Sequence, residues 1–143
     1  MYHRWAALAL VLALCAVPTK QAAGQQTATS QPRERKLGSL GQNFPNPFNP
    51  ETRFPFSVDV CDGGVSTHVV TLKVYNVLAQ VIAVPVLEGV NRPLEKLTLP
   101  CGQYTAFWDG KVLGTGKEAA SGVYTYVLEI DGQRTPKKAF VAK

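Results

Sequence analysis

Gly102-Gln-Tyr-Thr-Ala-Phe-Trp-Asp-Gly110 decides the class of fold. Tyr104, Ala106 and Trp108 alternate with Thr105 and Phe107. That two-residue period belongs to a β-strand, with Trp108 as the bulky anchor of one face. Asp109-Gly110 ends the run, because glycine takes turn dihedrals at little cost. Gly114, Gly116 and Gly122 punctuate the segment that follows. A second strand then reads Val123-Tyr-Thr-Tyr-Val-Leu-Glu-Ile130. Tyr124, Tyr126, Leu128 and Ile130 share one face; Val123, Thr125, Val127 and Glu129 share the other. Two strands joined by a glycine-rich loop make a unit of an antiparallel sheet.

The same period recurs on both sides of this unit. Phe54, Phe56, Val58 and Val60 alternate with Pro55, Ser57 and Asp59. Pro55 has no N–H to donate, which predicts an edge strand. Asp62-Gly63-Gly64 is a turn. Val70, Leu72 and Val74 form the inward set of the next strand. Asn76 to Gln80 leads into Val81-Ile-Ala-Val-Pro-Val86. Leu94, Leu97 and Leu99 either cover the open edge of the sandwich or form a short strand. Asp131-Gly132 is a tight hairpin signal, and the last strand runs from Gln133 to Lys143. With 10 prolines and 12 glycines, the expectation is all-β: an Ig-like antiparallel β-sandwich of about seven strands, without an internal repeat.

Asn43-Phe-Pro-Asn-Pro-Phe-Asn-Pro50 precedes the first of these strands. Pro45, Pro47 and Pro50 fix their own φ and push the residues before them toward extended dihedrals. The segment is expected to be an extended strap, docked on the sandwich by Phe44 and Phe48, with its asparagines satisfying stray backbone groups. Neither Asn46 nor Asn49 is a glycosylation acceptor, since each precedes proline.

The 143 residues make one domain the prior. Residues 1–24 read as a signal peptide: Arg4 gives the positive start, Trp5 to Val17 the apolar core, and Ala22-Ala23-Gly24 the small residues for cleavage. An uncleaved anchor and a lipobox ending at Cys15 are the alternatives; either way the domain is exported. Residues 25–36 are polar, lack aromatics, and read as a disordered linker. The folded domain is placed at 37–143. The net charge of +5 includes Arg4 and Lys20. What remains is a mild excess of solvated charge, not a dense basic face for nucleic acid. No nucleic-acid partner is expected, and membrane contact only through the signal peptide or surface attachment.

Once Cys15 leaves, Cys61 and Cys101 remain, an even number for an oxidising compartment. If their strands both flank the Val70 strand, the two cysteines fall at opposite ends of the sheet, so their pairing stays open. Two cysteines without histidine partners are a poor metal set. His68 reads as a surface residue beside a strand, and Asp109 as a turn-former bonding its own backbone. Asp59, Asp62 and Asp131 follow no calcium-loop pattern. Ser121 lacks the glycine of a nucleophile elbow. No catalytic residue, cofactor site or metal site is expected, and no enzyme.

Trp108-Asp109-Gly110, Gly116 and Ala120-Ser121-Gly122-Val123-Tyr124 resemble the C-terminal half of FlgD-type Ig-like domains and the similar type A C-terminal sorting domains of the type IX secretion system. Leu40-Gly-Gln-Asn-Phe-Pro-Asn-Pro-Phe-Asn-Pro-Glu-Thr52 and Val70-Thr-Leu-Lys-Val-Tyr-Asn76 resemble the N-terminal half. The resemblance covers residues 37 to 143. It singles out Asn46, Pro47, Phe48, Trp108, Asp109, Gly110, Gly122 and Tyr124 as motif residues. It also implies that the basic end of the chain, Lys137, Lys138 and Lys143, is read by a translocon or sortase. The implied function is a non-catalytic sorting and anchoring signal at the cell surface. A small structural or adhesive surface protein is the alternative. The chain departs from the family at Ala79, where glycine is usual. A left-handed alanine costs about 1 kcal/mol, so the turn is expected to be built differently.

Overall fold

The computed structural model of the chain describes residues 34–64 and 66–143. The signal-peptide segment and the linker up to residue 33 lie outside the described residues. Of the linker, Arg35 is within them, and its guanidinium bonds the Asp62 carboxylate at 2.7 Å.

The chain is all-β. Its strands are β1 (Gly38–Leu40), β2 (Thr52–Val58), β3 (Thr67–Tyr75), β4 (Val81–Ala83), β5 (Val86–Leu87), β6 (Arg92–Pro93), β7 (Leu97–Pro100), β8 (Gly102–Trp108), β9 (Gly122–Ile130) and β10 (Gln133–Val141). Among the described residues there are thus ten strands where about seven are expected. Strands of two or three residues, such as β1, β5 and β6, are too short to display a period. One sheet has the order β1-β2-β8-β5-β6; the other runs β10-β9-β3-β4, with β7 also on β3. Every strand pairing is antiparallel.

The run Val81–Val86 is not one strand. β4 belongs to the β3 sheet and β5 to the β8 sheet, with Pro85 between them, so the chain crosses the sandwich there. On the far edge of β3, β7 covers Thr67–Val70 and β4 covers Val74–Tyr75. Between them the Leu72 amide donates to the Leu94 carbonyl at 2.8 Å. Leu94 and Leu97–Leu99 thus do both things the sequence allowed.

The alternating residues fill the core as their parity demands. Phe54, Phe56 and Val58 face Val70, Leu72 and Val74, with Tyr126, Leu128 and Ile130 beside them. Each fully buried Leu, Val or Phe contributes about 1.5–3 kcal/mol. Phe54 of one sheet meets Tyr126 of the other at 4.6 Å between ring centroids. The buried Tyr126 hydroxyl donates to the Gly41 carbonyl at 2.9 Å and accepts the Asn43 amide at 3.0 Å. Burial raises its pKa. The phenol thereby satisfies backbone groups at the start of the strap that would otherwise be stranded.

Four expectations are corrected. β8 and β9 are not one antiparallel unit: β8 pairs with β2 and β5, β9 with β10 and β3, so the glycine-rich segment between them passes from one sheet to the other. Pro55 does not mark an edge: β2 lies between β1 and β8. The Pro55 carbonyl accepts the Gly41 amide, on the side away from β8. A residue in an antiparallel strand points its N–H and C=O to the same side, so the missing donor leaves the β8 ladder whole. The strap is bent, not extended, because Phe44 bridges to Arg53 in one sheet and Phe48 to Val141 in the other. Phe48 is the plug, at 1% exposure, whereas Phe44 is 50% exposed. Ala79 does keep the left-handed dihedral, with φ +59°. Asn76 organises that turn: its side-chain oxygen accepts the Leu78 and Gln80 amides, both at 3.0 Å. Ala79→Gly is therefore expected to raise stability by up to about 1 kcal/mol in chemical denaturation, by relieving this strain.

Cys61 and Cys101 form a disulfide, with 5.9 Å between Cα atoms. The premise that separated them fails, because β2 and β8 are direct neighbours, not two flanks of β3. Val58 pairs with Gly102 in that ladder, so the end of β2 and the start of β8 coincide. The bridge closes a 40-residue separation. Cys61→Ser/Cys101→Ser should lower stability by about 3 kcal/mol, measured by urea unfolding against the oxidised chain.

Candidate functional site

The motif residues come from separate stretches of chain, and Asn46, Phe48 and Gly122 meet at the end of β10. Phe48 lies in a bend of the strap after the exposed Pro47. Its amide donates to the Phe140 carbonyl at 2.9 Å, and its own carbonyl accepts the Ala142 amide at 3.1 Å. Asn46 completes the grip, its side-chain oxygen accepting the Phe140 amide at 3.0 Å. The Phe48 ring sits edge-on to Trp108 at 5.4 Å, and Trp108 meets Tyr124 at 6.1 Å.

Below this aromatic stack the Trp108-Asp109-Gly110 corner is locked by its own hydrogen bonds. The Trp108 indole donates to the Lys111 carbonyl at 2.9 Å, and Asp109 accepts the Lys111 amide at 3.0 Å. Asp109 is thus the turn-former expected. Gly110 has φ +77°, and a Cβ there would run into the Pro50 carbonyl. Gly122 pairs with Val141 across the β9–β10 ladder. The Tyr124 hydroxyl donates to the Ala120 carbonyl at 2.8 Å.

The three lysines do not form one patch. Lys137 and Lys138 are successive strand residues and project to opposite faces of β10, Lys137 half-buried and Lys138 exposed. Neither has a carboxylate within ion-pair distance among the described residues. Lys143 turns away, pairing with Glu118 at 3.0 Å while its amide donates to Ser121 Oγ at 3.1 Å.

The outer edge of β10 is only partly available. The even-numbered residues present their backbone groups outward. Phe140 is taken by the strap, and Gln42 donates to the Lys138 carbonyl at 3.0 Å. Pro136 has no donor to offer. What remains is a short, interrupted edge over residues 134–138, beside Arg134 and Lys138.

A second constellation lies at the opposite end of β10, where the β9–β10 hairpin turns. His68 is 4% exposed, not the surface residue expected. Its Nδ1 meets Asp131 Oδ2 at 2.6 Å and its Nε2 faces the Val60 carbonyl. The other Asp131 oxygen accepts the Val69 amide at 2.8 Å. With an acceptor at each ring nitrogen, the imidazolium satisfies both. Its pKa is raised, first by the bond to Asp131 and then by the Val60 carbonyl. Asp131 is lowered, first by the His68 bond and then by the Val69 amide.

The raised imidazole contributes stability that is full below its ordinary value of 6.5 and is lost as pH rises through the folded-state value. The lowered carboxylate contributes stability present above its ordinary 3.8 and lost as pH falls through its folded-state value. The pair therefore supports the fold most between about pH 4 and 6.5. The thermal midpoint should decline on both sides of that window, and Asp131→Asn should flatten the profile.

Parity is the signal that marks His68 as buried: it is in phase with Val70, Leu72 and Val74. Its link to Asp131, 63 residues away, leaves no local trace in the sequence.

Set against protein-family models, curated proteins and solved structures, the chain matches none of them.

Proposed function

We propose that this chain is an exported, non-catalytic module read by other proteins through its last strand, a sorting and anchoring signal of the type IX kind. One observation supports this reading most. Three of the residues in which the chain resembles those sorting domains, Asn46, Phe48 and Gly122, meet at Phe140–Ala142, with Trp108 and Tyr124 stacked behind the Phe48 ring. A strand held in one conformation before it meets a partner loses less entropy on binding than a loose tail does. The clasp supplies that preorganisation; Lys138 stands exposed beside it, and Arg134 is exposed further back along the strand. The partner is then a translocon component or a sortase, and the domain ends at the cell surface or in the medium.

A structural or adhesive surface module is the second reading. It is favoured by the β3–β4 turn, where Val77 and Leu78 are 83% and 73% exposed, far more than such side chains need be. Fusion of residues 25–143 behind a reporter with its own signal peptide, in a host with a type IX system, separates the two. The sorting reading expects the reporter at the surface or in the medium, and its retention when Lys137 to Lys143 are deleted. Because deletion also removes half of β10, the variant Lys137→Ala/Lys138→Ala/Lys143→Ala provides the folded control. A reporter held in the periplasm with the domain intact rules the sorting reading out.

A further inference from the structure

We propose that Cys61, Cys101 and His68 form a metal site opened by reduction, one that takes a thiophilic divalent ion of the zinc class. Ligand atoms of these three residues lie within 4.8 Å of one another. In a tetrahedral zinc site, bond lengths of about 2.0–2.3 Å put neighbouring ligand atoms roughly 3.5–3.8 Å apart. Once reduced, the two sulfurs, bonded to each other in the disulfide, move apart to that spacing, and the His68 nitrogen lies within 4.8 Å of both. In the sequence the two cysteines lack a nearby histidine partner; the fold brings one to them from β3.

The histidine is also mounted as a ligand should be. Asp131 holds Nδ1, and the Val69 amide in turn holds Asp131. A carboxylate behind a histidine fixes ring orientation and strengthens the other nitrogen as a donor to metal. That other nitrogen, Nε2, faces the Val60 carbonyl, one residue from Cys61. His68 is buried, Cys61 is exposed and Cys101 is half-buried. An ion held by all three would therefore keep a side open to solvent.

The chemistry balances with a dithiol as reductant. The dithiol gives two electrons and two protons to the protein disulfide and leaves as its own disulfide. The Cys61 and Cys101 thiols then lose their protons to solvent as the ion binds. Nε2 gives up its proton as well and releases the Val60 carbonyl. The oxidised chain has no thiolate to offer, so the disulfide and the metal exclude each other.

The test uses the whole domain, reduced with a phosphine under anaerobic conditions, and Co2+ as the probe. We expect one Co2+ per chain, with thiolate-to-cobalt charge-transfer absorption, displacement by Zn2+, and none of this in the oxidised chain. Added Zn2+ should also recover part of the thermal stability lost on reduction. Asp131→Asn should weaken Co2+ binding about 10–100-fold while keeping the absorption. Cys101→Ser, which leaves His68 and its carboxylate untouched, should lose much of the charge-transfer band. A reduced wild-type chain that stays folded and shows no cobalt–thiolate absorption overturns the proposal. So does equal Co2+ binding by reduced and oxidised chains. A reduced wild-type chain that unfolds and is not refolded by Zn2+ overturns it too.

Discussion

Phe48→Ala is expected to destabilise the domain by about 4 kcal/mol in chemical denaturation. The side chain is 1% exposed and lies against Trp108, so its loss leaves a cavity at the edge of the aromatic stack. The larger consequence is local. The Phe48 backbone bridges to the last strand, and the ring is what seats that backbone. Amide hydrogen exchange should therefore show Phe140 and Ala142 losing protection together, while β3 and β9 keep theirs. Protection that falls evenly over the whole sandwich would mean that Phe48 is an ordinary core residue and not the pin of a clasp.

Gly110→Ala should be at least as severe, about 4 kcal/mol or more. Two costs combine there. The backbone is left-handed at φ +77°, and the added Cβ would meet the Pro50 carbonyl, its carbon at 2.9 Å. The corner cannot yield easily, since the Ala119 amide donates to the Gly110 carbonyl at 2.7 Å. Gly114→Ala separates the two costs. Gly114 has φ +72° with nothing near the added Cβ, so it should lose only about 1 kcal/mol. Similar losses at both sites would show that the strap does not press on the corner.

Much of the sandwich was legible because burial has a period. Phe54 to Val58, Val70 to Val74 and Tyr126 to Ile130 fall on the core face by alternation alone. The errors have a common origin in pairings between distant segments. Pro55 suggests an edge only if the β8 ladder needs its missing donor, and its carbonyl faces Gly41 instead. The cysteines appear separated only if β2 and β8 are assumed to flank β3. Phe44 and Phe48 look alike in the strap, and only the bridges to Arg53 and Val141 tell the exposed ring from the buried one. At the proposed recognition site, the motif residues were visible by type. That Asn46 and Phe48 meet Gly122 at the end of one strand was not, because it depends on where a bent proline-rich segment crosses between sheets.

The interrupted border of β10 bears on how such molecules behave side by side. An open strand flank invites a second copy to zip alongside, and the chain that results has no natural end. Here Pro136 removes a rung, and the strap occupies the positions beyond it. Crowded copies of this chain should stay separate at that flank, so that whatever engages it must bring a complementary shape of its own.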